Sequence, residues 1–283
     1  MSSENTNLET RVAELEGQVA KLQNQLDVIG GTVLEMKNVE KHFGGVHAID
    51  NFSVKIEHGR IHGLIGPNGA GKTTIFNNIT GIYAPDSGKI LFLGQNITGS
   101  PPHKVAQLGI GRTFQNIRLF SNLSVLDNVI IASGMDATYN LPQAIFHNSK
   151  YKDRERAVNE KAMSLLEIVG LQDKAEERAN SLPYGHQRKL EIARAMALDP
   201  KLLLLDEPAA GMNADESLEL VDFVRGIRDR FDITILMIEH HMDVVTNLCD
   251  YCTVLNFGKT IAVGTPNEVK NDPEVIRAYL GGT

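Results

Sequence analysis

The chain has 283 residues, 42% hydrophobic and 22% charged, with two cysteines and a net charge of −7. That is room for one large domain or two small ones of ordinary globular composition. The acidic balance excludes broad charge-driven binding to DNA or to an anionic lipid surface, and no apolar run approaches the roughly 18 residues a membrane-spanning helix needs. The opening "MSSENTNLET" has neither a basic stretch nor an apolar core and does not read as a secretory signal.

Leu8, Val12, Leu15, Val19, Leu22, Leu26 and Ile29 recur at alternating spacings of four and three, an unbroken heptad seam. Mostly Val at a and mostly Leu at d favours a parallel pair of helices, with Arg11 at g facing Glu16 at e of a partner. Three heptads are marginal alone, so the pattern also fits an amphipathic helix lying on its own domain. Gly30 and Gly31 end this extension, residues 1–30, and a second domain runs from 31 to 283.

From Thr32 onward short apolar strands alternate with helical patterns, the signature of an α/β domain. "RIHGLIG" predicts a buried strand entering a glycine turn, and "KTTIFNNIT" a helix after it. "VLDNVIIA" and "RERAVNEKAMSLLEIVG" have helical spacing, with Met163, Leu166 and Val169 on one side. "KLLLLD" and "ITILMIE" are continuous apolar runs, as in strands buried on both faces of a parallel sheet. "ADESLELVDFVRGIRDR" is the amphipathic helix between them. "CTVLNFGKTIAVG" reads as a hairpin around Asn256-Phe257-Gly258. Cys249 and Cys252 have no second ligand pair for zinc and sit where a helix runs into a strand, so they read as reduced structural thiols.

Gly66, Pro67, Asn68, Gly69, Ala70, Gly71, Lys72 and Thr73 fit G-x-x-x-x-G-K-[ST], followed by Thr74. Glycines let backbone N–H groups converge on phosphate oxygens, and the helix that starts there adds its positive end. Lys72 suits the β- and γ-phosphates of a nucleotide, and the Thr73 hydroxyl suits Mg²⁺. The leucine run from Leu202 to Leu205 predicts a central strand beside the P-loop strand, delivering Asp206 to the phosphates as a Mg²⁺ ligand. Glu207 points differently and suits a general base on the attacking water. A carboxylate buried after four leucines is costly without a cation to meet. The long gap between Lys72 and Asp206 requires an inserted subdomain, and no Asn-Lys-x-Asp guanine reader is present.

With "HFGGVHAID", "GRTFQNIRLF", "LLLLDEPAAGMN", "ILMIEHHMDVV" and "VIRAYLGG", the chain from about Val33 to Gly282 resembles the ATP-binding cassette family. Within it, the chain is similar to the ATPase subunits of branched-chain amino-acid importers, of which urea and amide importers have close variants. The resemblance implies a RecA-like P-loop core with an antiparallel β-subdomain and an inserted helical subdomain at about 116–195. It implies adenine stacking by Phe43, and contact of Gln115 with Mg²⁺ and the attacking water. It implies a γ-phosphate contact by His240, with His241 standing where relatives usually carry Asp.

Leu182 to His186 occupies the signature segment, so Tyr184, Gly185 and His186 would meet nucleotide held by the opposite subunit, with Pro183 in place of the usual serine. The expected partners are a second ATPase subunit (a heterodimer, or a homodimer), two permeases and a periplasmic-type solute-binding protein, with no nucleic acid. The expected place is the cytoplasmic face of the inner membrane, held peripherally. A soluble, mechanically acting cassette ATPase is the alternative; it usually carries two cassettes or a very long coiled coil, and neither is present.

Overall fold

The computed structural model describes residues 31–133 and 149–280. The heptad seam falls in residues 1–30, outside the described residues. In chain order the strands are β1 (Thr32–Phe43), β2 (Val46–Glu57), β3 (Ile61–Ile65), β4 (Ser87–Phe92), β5 (Gln95–Asn96), β6 (Ile110–Arg112), β7 (Leu202–Asp206), β8 (Thr234–Ile238), β9 (Tyr251–Asn256) and β10 (Lys259–Gly264). The helices are α1 (Lys72–Ile79), α2 (Pro102–Gln107), α3 (Val125–Ser133), α4 (Ser149–Ile168), α5 (Tyr184–Met196), α6 (Ala214–Phe231), α7 (Met242–Leu248), α8 (Pro266–Lys270) and α9 (Pro273–Leu280).

Two sheets result. One is antiparallel, in the order β2-β1-β4-β5; the other has the order β10-β9-β3-β8-β7-β6, parallel from β9 to β6 with β10 antiparallel at its edge. The parallel strands are buried on both faces, which is why they are apolar throughout rather than alternating. On β7, Leu202 and Leu204 join a core with Phe52, Phe76 and Phe92 beneath the antiparallel sheet. Leu203 and Leu205 join a second core with Leu190, Ile192 and Val224 of the helices. A period of two thus divides one leucine run between two cores.

The adjacency of the leucine strand to the P-loop strand is corrected here: β8 lies between β3 and β7, pairing in parallel with both. Asp206 still lies at the carboxyl edge, level with Ile238. The helices α3, α4 and α5 are inserted between β6 and β7, with Val129, Leu166 and Val169 in the helix-side core. Cys249 and Cys252 are free and buried, and a side chain on Gly63 would meet their sulfurs at 3.0 and 3.1 Å. The hydrogen bond with Cys252 and burial push the Cys249 thiol well up, which suits an inert packing role. No helix among the described residues is long and apolar enough to cross a membrane.

Candidate active site

The P-loop folds the way it does because two of its glycines have no room for a side chain. Gly66 leaves β3 at φ 146°, and a Cβ there would lie 2.1 Å from the Leu255 carbonyl oxygen. Gly71 caps α1 at φ 105°, where a Cβ would lie 2.3 Å from the Ala48 carbonyl oxygen. No side chain caps α1, so its first amides point open into the loop. Ala70 is buried, while Asn68, Gly69 and Thr73 face solvent. Lys72 Nζ donates to Gly66 O at 2.6 Å and Pro67 O at 2.9 Å. Burial pushes the Lys72 ammonium down in pKa, opposed by the nearby charges of Glu207 and Asp206. The two carboxylates thus lie close enough to the P-loop lysine to act on its charge. A cleft of about 580 Å³ between the P-loop and α9 is lined by Pro67, Asn68, Phe257 and Tyr279.

Asp206 is buried and meets a cation the sequence reading did not supply. Arg112 Nη2 donates to Asp206 Oδ2 at 3.0 Å. Arg112 Nη1 also donates to Asn77 Oδ1 at 2.7 Å and Thr80 Oγ1 at 3.2 Å on the P-loop helix. Burial pushes the Asp206 carboxyl up, and Arg112 opposes it. The cost of burying Asp206 is thus offset within the chain. The expectation that it must meet a metal for that reason alone is corrected accordingly.

Glu207 stands in left-handed backbone geometry, φ 48°, with its N–H donating to Ile238 O at 2.9 Å. Gln115 Nε2 donates to Glu207 Oε2 at 2.9 Å, and His240 Nδ1 lies 3.8 Å from Oε1. His241 instead turns back to Glu239, at 3.1 Å. Glu239 is fully buried and accepts from the amides of Ala209, His240 and His241, which fixes the turn that presents His240. Sequence reasoning passed over Glu239, although it ends "ILMI" as Asp206 ends "LLLL".

The other expected residues lie apart from this cluster. Phe43 ends β1 at the Gly44-Gly45 turn, exposed, with its ring edge-on to Tyr83 at 5.2 Å. It closes a strand rather than sitting in a loop. Pro183 occupies the cap position of α5, which has no side-chain cap, and Tyr184 begins the helix. Tyr184 is exposed, its ring alongside Gly211 in the loop after Glu207. Gly185 and His186 are half-buried in the first turn.

A parallel sheet, a glycine loop on a helix start, a buried lysine and an acidic pair at the next-but-one strand define a P-loop nucleoside triphosphatase. Residues 49–210 match the family model described as "ABC transporter", and residues 259–283 match "Branched-chain amino acid ATP-binding cassette transporter". The chain belongs to the ABC transporter family, as an ATP-hydrolysing subunit.

It is 41% identical to the high-affinity branched-chain amino acid transport ATP-binding protein BraF of Pseudomonas aeruginosa, over 88% of this chain and 98% of that one. It is 40% identical to LivG of Escherichia coli K12, a protein of the same description, with the same coverage. A crystal structure of the ADP conformation of an ATP-binding cassette from an ABC transporter superposes with a TM-score of 0.77 at 32% identity, covering 88% of this chain and 99% of that one.

Proposed function

We propose that this chain powers uptake of branched-chain amino acids through partner permeases, each ATP being gripped between its P-loop and the signature segment of a second ATPase subunit. The reading rests on the curated relatives at about 40% identity. The observation that carries the chemistry is Glu207, held by Gln115 and faced by His240 at the edge that Lys72 shares. In this reading Gly66 to Thr74 cradle the phosphates, Lys72 neutralises their charge and Phe43 stacks on adenine.

Glu207 accepts a proton from the attacking water as its oxygen bonds to the γ-phosphorus. The bond from that phosphorus to the bridging oxygen breaks, and ADP and phosphate leave. Gln115 and His240 orient the water and the γ-phosphate. Thr73, Gln115 and Asp206 offer oxygen donors of the kind Mg²⁺ prefers. They would hold that ion, which when bound neutralises charge on the β- and γ-phosphates.

Tyr184, Gly185 and His186 would serve the partner's nucleotide in the same way. The partner is a second cassette subunit, a heterodimer fitting best, in a complex with two permeases and a periplasmic-type binding protein. What supports docking near Gln115 is a cleft of about 620 Å³ lined by Arg112, Phe114, Arg118, Phe120 and Arg194. Attachment is peripheral, at the cytoplasmic face of the membrane, through the permeases. In this reading residues 116–195 hold the inserted subdomain, and the heptads of residues 1–30 are a separate region that lies outside the described residues.

The test is leucine uptake in proteoliposomes holding the assembled complex. Wild type is expected to import leucine only with internal ATP. Glu207→Gln should lower ATPase about 10²–10⁴-fold while keeping ATP binding. ATP-driven uptake of urea and not leucine, or full turnover in Glu207→Gln, would overturn the assignment.

A further inference from the structure

Residues 114–118, which carry Gln115, form neither helix nor strand, so their backbone polar groups need partners from elsewhere. One helix supplies them. Arg188, Glu191 and Arg194 follow at intervals of three along α5 and so share a face. Arg188 Nη1 donates to Phe114 O at 2.7 Å, and Nη2 donates to Gln115 O at 3.0 Å. Glu191 Oε1 accepts from Phe114 N at 3.2 Å and from Arg118 N at 3.4 Å. Arg194 donates to Arg118 O. Arg188 and Glu191 are themselves paired at 2.8 Å, with side chains 0% and 4% exposed. Arg188 Nη2 also donates to the Tyr184 hydroxyl oxygen at 3.1 Å.

A buried pair of this kind is seldom the most stable solution, since apolar residues of like volume often do as well. An apolar pair could not fasten both edges of a loop. The Gln115 side chain, at the other end of the same residue, holds Glu207.

We infer that Arg188 and Glu191 are positioning residues for hydrolysis: as a pair they set Gln115 against Glu207, and through Tyr184 they tie that placement to the signature segment. The inference rests on the roles given above to Gln115 and Glu207. The start of α5 serves the partner's nucleotide in that reading, so occupancy of one composite site reaches the water-orienting residue of the other through the hydrogen bonds of Arg188 to Tyr184 and to Gln115, within one chain.

The experiment is a double-substitution cycle in the full chain within its assembled complex, reading kcat, the ATP KM and fluorescent-nucleotide affinity. Glu191→Ala is expected to lower kcat about 10- to 100-fold, the equivalent of one charged hydrogen bond. KM and nucleotide affinity should stay within about twofold, because the P-loop is untouched. Glu191→Gln keeps an acceptor for the Phe114 amide and should recover most of the rate. Arg188→Lys cannot span two carbonyls and should behave like Glu191→Ala. Combined with Gln115→Ala, neither loss should add to that of Gln115→Ala alone.

Additive losses, or a parallel fall in nucleotide affinity, would refute the clamp while leaving Gln115 in its role. If Gln115→Ala alone leaves kcat unchanged, the assignment of Gln115 fails and the clamp with it. Should Glu191→Ala not yield soluble protein, Glu191→Gln and Arg188→Lys carry the same cycle.

Discussion

The two walls of the nucleotide site are built on opposite plans. The P-loop wall is nine consecutive residues, and its shape follows from glycines at positions 66 and 71 that a Cβ would drive into backbone oxygens. The Gln115 wall has no local logic. Its residues hang from α5, more than seventy positions later, and its charge partner Arg112 bridges α1 to β7. One wall is a single run of chain crowded by the backbone oxygens of Ala48 and Leu255; the other depends on side chains that the chemistry never touches.

The comparison can be pressed at its remote wall first. Arg112→Met leaves Asp206 buried without its cation and should cost about 3–5 kcal/mol of stability at neutral pH, read by denaturant unfolding. A loss under about 1 kcal/mol would mean the walls do not differ as described.

On the P-loop side, His62 of β3 is buried against Thr253, its ring 6.1 Å from that of Tyr251, and burial pushes its pKa down to about 4. The unfolded chain then binds more protons between about pH 6.5 and 4. Stability is therefore full above pH 6.5 and is lost as pH falls through that window, by about 3 kcal/mol in all. Unfolding midpoints measured across pH 7 to 4 should fall accordingly, and less so in His62→Gln.

The smallest effect separates two glycines of one loop. Gly66→Ala should cost about 1–3 kcal/mol in strain and weaken nucleotide binding with it. Gly69→Ala, at φ 78° but with open space around it, should cost about 1–2 kcal/mol and spare binding. Equal losses in nucleotide titrations would show that conformation alone, not crowding by Leu255, shapes the turn.

Short-range patterns were read directly. The leucine run was legible as a buried strand because burial on both faces demands apolar residues at every position. The hairpin at Phe257-Gly258 was legible because its turn chemistry is local. The acidic pair was legible because carboxylates at the end of such a strand need a reason.

Strand order was not legible: β7 and β8 are equally apolar, and nothing in either says which sits against β3. Nor did "GRTFQN" announce that its arginine would meet Asp206, or "QRKLEIAR" that its charges would turn inward. On a helix, Arg and Glu three apart normally read as a solvated pair. Here their face is buried because α5 packs where an irregular loop leaves five backbone groups unmet.

The phosphate loop and the identity of the acidic residues thus came from the chain's own local rules, where steric limits and periodicity act over a few residues. The placement of Gln115 beside Glu207, the choice of His240 over His241 to face it, and the cation that Asp206 meets arose only when distant segments closed on one another. Hydrogen bonds between residues some 30 to 90 positions apart have no period to read. They are settled by which surfaces the packed sheet and helices bring together.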